Sequence, residues 1–152
     1  MLSASYVYCQ EESKIVGRRG NYEYPFSIDA DILEVSFKLE DDMLTINFII
    51  AGDFMRGTRQ YNYCYHINLY DSQDQEWKDL FATIIVAYFP SLRTTAVGIA
   101  GSTSNKTLPY SVNGSRLTIT GLTLSDIGNR YIFYASARAI FIYEKKSFGS
   151  RC

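Results

Sequence analysis

Side chains change character at every residue along much of this chain, and that alternation limits what it can become. Leu33, Val35, Phe37 and Leu39 are apolar, with Glu34, Ser36 and Lys38 between them. Glu40-Asp41-Asp42 follows as a polar turn, after which Leu44, Ile46, Phe48 and Ile50 resume the pattern around Thr45 and Asn47. Successive side chains of an extended strand point to opposite faces, so a period of two gives one oily face and one wetter face. A helix would need apolar residues three and four apart. Residues 32–50 therefore predict a β-hairpin.

The same reading extends along the chain. In residues 61–70, Tyr61, Tyr63, Tyr65, Ile67 and Leu69 oppose Asn62, Cys64, His66, Asn68 and Tyr70. The polar stretch from Asp71 to Glu76, ahead of Trp77, predicts a loop or one short helical turn. Residues 82–89 are apolar on both faces, as in a central strand, and Pro90 stops them because proline cannot donate to a ladder. A short strand at 94–100 precedes a loop at 101–106. Leu108–Val112 is expected to pair with Arg116–Thr120 across Asn113-Gly114-Ser115, since Asn-Gly supplies the positive φ of a tight hairpin. Ser125–Gly128 reads as a turn, and residues 131–143 as a long strand whose small Ala135, Ala137 and Ala139 permit close approach. Tyr6–Tyr8 and Phe26–Ile28 are shorter strand candidates.

About eight to ten one-faced strands are most simply buried as two packed antiparallel sheets. The expected fold is all-β, a two-sheet antiparallel β-sandwich of jelly-roll or immunoglobulin-like kind, with a closed barrel as the alternative. The 13 Tyr and 9 Phe agree, because aromatic residues suit a pleated, half-buried surface. At 152 residues the whole length, 1–152, is expected to form one domain.

A formal net charge of −1 gives no field that would draw in nucleic acid. No apolar run approaches the ~20 residues of a membrane-crossing helix. The first residues, MLSASYVYCQEE, have neither the basic nor the apolar region of a secretory signal. Asn105-Lys106-Thr107 and Asn113-Gly114-Ser115 match the glycosylation acceptor pattern and favour an extracellular or cell-surface location. Three cysteines allow at most one internal bridge: Cys9–Cys64 could join two strands and leave Cys152 free or intermolecular, or all three are thiols.

His66 is the only histidine, and Cys64 shares its strand face. Such a pair could contribute to a zinc site or to Cys-His catalysis, but no second Cys/His pair and no Gly-x-Ser-x-Gly elbow accompanies it. The expectation is a protein without catalytic residues. Loop carboxylates offer oxygen ligands for a structural Ca²⁺, with Asp29 and Asp31 leading a strand and Asp71, Asp74 and Glu76 in a later loop. Those acids equally serve as turn caps. Tyr70, Trp77 and Tyr134, with His66 and Asn68, are the candidate ligand-binding residues, because flat rings beside amides can stack on and hydrogen-bond a sugar or peptide.

The aspartate-led DADILEVSFKLEDDMLTINFIIAG, the tyrosine-rich YNYCYHINLY and the late VNGSRLTITG before YIFYASARA together resemble the DOMON-like and carbohydrate-binding sandwich modules of extracellular proteins. That resemblance implies binding of sugars or haem, or service as a surface module of a larger protein. A haem-binding member would use a methionine and a histidine, here His66 with Met43 or Met55. A looser resemblance to β-rich subunits of archaeal surface layers and filaments implies protein contacts and self-association through edge strands. The expected function is thus a non-catalytic extracellular module for carbohydrate. The alternative is a structural or adhesive surface domain.

Overall fold

In a computed structural model of the chain, the described residues are 5–8, 13–16, 32–54, 61–74, 76–89, 94–101, 104–130 and 132–143. The alternating segment forms the hairpin of β3 (Ile32–Glu40) and β4 (Met43–Ile50). Asp41 and Asp42 both take positive φ, 49° and 64°, as a two-residue turn matched to strand twist requires. Around it stand β1 (Ser5–Tyr8), β2 (Ser13–Val16), β5 (Tyr61–Tyr70), β6 (Leu80–Phe89), β7 (Thr94–Gly101), β8 (Asn105–Thr107), β9 (Tyr110–Asn113), β10 (Arg116–Thr123) and β11 (Ile132–Tyr143). They make a six-stranded sheet in the order β1-β11-β5-β6-β7-β8 and a five-stranded sheet in the order β2-β3-β4-β10-β9. Every ladder is antiparallel. The two-sheet sandwich expected from the sequence is the observed architecture. The strands not read from the sequence are β2 and β8, three or four residues long and too short to show a period, and β8 begins within the stretch 101–106 expected to be a loop. The expected strand at Phe26–Ile28 lies outside the described residues.

The inner faces meet in one apolar layer. β3 and β4 contribute Val35, Phe37, Leu44, Ile46 and Phe48, and β5 and β6 add Tyr65, Ile67, Leu69, Ile84 and Val86. Ala135 and Ala137 of β11 are buried there too, so these two small residues face the opposite sheet. Aromatic rings bridge the layer in two groups. Phe37 meets Phe133 edge-on at 5.8 Å, and Phe133 meets Phe81 at 6.3 Å. Phe48, Phe54 and Tyr65 form the second group, with Phe48 and Tyr65 only 4.9 Å apart.

Three irregularities adjust this layer. The β3–β4 register slips between Ile32 and Glu34, so Ile32 faces inward and Leu33, expected in the core, is only half-buried. The β5–β6 register slips between Leu69 and Tyr70, and the extra residue, Phe81, goes into the core. In β10 the slip falls between Ile119 and Leu122. There Gly121 has φ +75°, and a Cβ on it would lie 2.9 Å from Pro109, so only glycine fits. The β9–β10 hairpin forms as expected, with Asn113 still in the ladder opposite Arg116 and Gly114 turning at φ +61°.

Removing the ring that joins both phenylalanine neighbours should leave an inter-sheet cavity. Phe133→Ala is expected to lose about 3–5 kcal/mol of stability, measurable as a lower denaturant midpoint at unchanged slope.

Candidate functional site

The outward face of the six-stranded sheet gathers most of the polar and aromatic candidates. Tyr65, Ile67 and Leu69 point into the core, so His66, Asn68 and Tyr70 point out. Strand register then supplies their neighbours: Tyr134 lies opposite Tyr70, Ser136 opposite Asn68 and Arg138 opposite His66. On the other side Thr83 faces Asn68 and Ile85 faces His66. The result is a face of two half-buried tyrosines, an amide, two hydroxyls, an imidazole and an exposed guanidinium. Thr83 Oγ1 donates to Asn68 Oδ1 at 2.9 Å, which sets the amide so that its NH₂ is the end not engaged by Thr83. Four of the five residues expected to bind a ligand thus share one surface. Ser136, Arg138 and Thr83 were not singled out from the sequence, although the parity of β11 and β6 places them there.

His66 is the electrostatically distinct member. Burial lowers its pKa below the ordinary 6.5, and the Arg138 charge across the ladder lowers it further. Its Nε2 is buried without a hydrogen-bond partner. Cys64, on the same outward parity, is disulfide-bonded. It therefore provides no thiolate for metal binding or for Cys-His chemistry with His66. Cys9 and Cys152 lie outside the described residues.

Trp77 is separate from this group. It is 84% exposed on a 3₁₀ turn, Trp77–Asp79, in the loop from Tyr70 to Leu80. Asp71 N–H donates to Asp79 O and Ser72 Oγ donates to Asp79 Oδ2 at 2.6 Å, which close the loop on itself. Arg130 holds it from outside: its Nε and Nη2 donate to the two Asp71 oxygens, and its Nη1 donates to Ile127 O at 3.0 Å. The same guanidinium lies 3.9 Å above the Phe81 ring. Asp71 is thereby committed to Arg130, and Glu76 pairs with Lys78. No group of three metal-ligating side chains occurs among the described residues, and Asp29 and Asp31 lie outside them.

Asp126 is the buried charge that sequence reasoning missed. It lies on the 3₁₀ turn Leu124–Ile127 between β10 and β11 and is 9% exposed. Thr123 and Asp126 form a reciprocal capping box, legible in hindsight as Thr-x-x-Asp. Lys106 Nζ stands 2.8 Å from its Oδ2, and Ser104 donates to Oδ1 at 3.0 Å. Desolvation alone would raise its pKa. Lys106, the Thr123 backbone and the Thr123 and Ser104 hydroxyls outweigh it and bring the value to about 2. These bonds tie the β7–β8 loop to the crossover between sheets, which is a structural assignment.

No protein-family model, no curated protein and no solved structure matches the chain. The two-sheet antiparallel architecture is that of a generic β-sandwich and does not by itself identify a DOMON-like or carbohydrate-binding family. No helix among the described residues is long and apolar enough to cross a membrane.

Two pH effects follow. Asp126 is more acidic folded than unfolded, so its contribution, about 2 kcal/mol, is full above roughly pH 4 and fades as pH falls toward 2. Asp126→Asn should therefore be destabilised near neutrality, with the deficit narrowing in acid, as read from denaturant melts across pH. The fold favours the neutral form of His66, so its contribution is full above its unfolded pKa and declines as pH drops below that value. NMR titration of this sole histidine should give a pKa under 6.5; a midpoint at or above it contradicts the burial.

Proposed function

We propose that the chain is a non-catalytic, extracellular binding module whose outward six-stranded face takes carbohydrate. The observation carrying this reading is the register that sets Tyr134 against Tyr70, one row from Asn68, Ser136 and Thr83. Tyrosine rings offer flat apolar area with a polar tip, and the neighbouring amide and hydroxyls offer short directional hydrogen bonds. Sugars present that combination, with C–H faces for stacking and hydroxyl edges for amides. The disulfide at Cys64 favours an oxidising compartment. Support for a non-catalytic role comes from His66, the sole histidine, whose Nε2 is buried and whose neighbour Cys64 is bridged.

A second reading, a structural or adhesive domain contacting protein, is favoured by the end of the sandwich that carries Trp77. Met43 and Ile132, 41% and 48% exposed, are at that same end, where β4 and β11 begin. Large exposed apolar residues of this kind are enriched at protein interfaces.

A glycan array followed by titration calorimetry discriminates the two. Carbohydrate binding should weaken about tenfold or more in Tyr70→Ala or Asn68→Ala and stay unchanged in Trp77→Ala. Silence across plant, microbial and host glycans, with concentration-dependent oligomers in light scattering that Trp77→Ala abolishes, would replace the first reading by the second.

A further inference from the structure

The outward face of the five-stranded sheet repeats the central row of the candidate site. Val35 and Phe37, Ile46 and Phe48, and Leu117 and Ile119 fill the core, so Ser36, Asn47 and Thr118 point outward, each half-buried. Register sets Ser36 opposite Asn47 and Asn47 opposite Thr118. The six-stranded sheet carries the same residue types in the same order, Ser136, Asn68 and Thr83 across β11, β5 and β6. The central bond is shared too: Thr118 Oγ1 donates to Asn47 Oδ1 at 2.9 Å, as Thr83 Oγ1 does to Asn68 Oδ1 at 2.9 Å. Each threonine thereby orients its asparagine, and neither NH₂ engages another group among the described residues.

The likeness continues along the strands. Two residues beyond Ser136 stands the exposed Arg138, and two beyond Ser36 the exposed Lys38. On the other side Tyr134 and Tyr70 flank the first row, whereas Glu34 and Ile49, likewise in register, flank the second. The second row is longer, because the exposed Ser111 of β9 lies opposite Thr118. Ser36, Asn47, Thr118 and Ser111, one per strand, together extend about 14 Å at a strand spacing of about 4.8 Å. That spacing is close to the advance of one sugar unit along an extended β-linked chain. An amide among hydroxyls, with no ionisable group in the row, complements uncharged hydroxyls. Lys38 pairs with Glu40 at 3.0 Å and Glu34 borders the row, so a polyanion finds no complementary charge there.

We infer that Ser36, Asn47, Thr118 and Ser111 form a second binding row, for a neutral, extended β-linked polysaccharide, so that one module holds two chains on opposite faces. The inference rests on the carbohydrate reading above and extends it from one face to two. The packed sheets stand about 10 Å apart with a row on each outer side, so a straight chain cannot touch both. Without rings to stack on, the second row binds about tenfold more weakly than the first.

NMR titration of the isotope-labelled intact protein with cellohexaose, xylohexaose, mannohexaose and chitohexaose tests this. With one or more of these sugars, signals of Asn68, Ser136 and Thr83 should shift first, and those of Ser36, Thr118 and Ser111 at about tenfold higher sugar. Asn47→Ala should abolish the second set of shifts and spare the first. Thr118→Val, which keeps the shape and removes the donor that orients the amide, should weaken the second set alone. Shifts confined to the Asn68 row, or a second set that survives Asn47→Ala, overturn the inference and leave the carbohydrate reading standing. Shifts confined to the Ser36–Ser111 row keep the second row and remove the six-stranded face. Shifts at neither row remove both. Shifts at Ser36 and Thr118 that follow protein concentration without sugar assign this face to a second copy of the chain and overturn the inference.

Discussion

Rings from three strands, β3, β11 and β6, meet between the sheets, and the placement of everything outside depends on that contact. Phe37 and Phe133 touch from opposite sheets, and Phe81 extends the contact along the six-stranded one. Burying three such side chains contributes several kcal/mol each in transfer and packing terms. Because side chains alternate, committing Phe133, Ala135 and Ala137 inward commits Tyr134, Ser136 and Arg138 outward. A slip of one residue would invert β11 and dismantle the outward face together with the core. The surface chemistry is therefore set by the interior.

Much of this was legible in residues. The 32–50 hairpin, the parity of β5 and the Asn113–Ser115 turn follow from period-two patterning and turn chemistry. What escaped was the set of bulges. Leu33 continues the apolar alternation yet yields the core position to Ile32, and Phe81 enters the core as an inserted residue. A bulge changes the count of residues on one strand relative to its partner, so a single strand's pattern cannot reveal it. β2 and β8 escaped because so few residues carry no periodicity.

The candidate face was half legible. Alternation grouped His66, Asn68 and Tyr70, but Arg138, Ser136 and Thr83 join them only through pairing between segments far apart in sequence. Trp77 stands apart for the same reason, since nothing local says whether a loop folds over a sheet face or off its end. Asp126 was hidden differently. Its burial comes from Lys106 and Ser104, about twenty positions upstream, closing over a short cap.

Arg130 has a mechanical consequence. Its guanidinium grips the carboxylate of one loop, the carbonyl of the crossover and the face of Phe81 at once. A pull on the Trp77 loop is therefore not absorbed locally. It passes through Asp71 into Arg130, and from there into the crossover that stitches the two sheets and into the ring packed on Phe133. Displacing the base of that loop therefore disturbs the crossover contact and the Phe81 ring contact together.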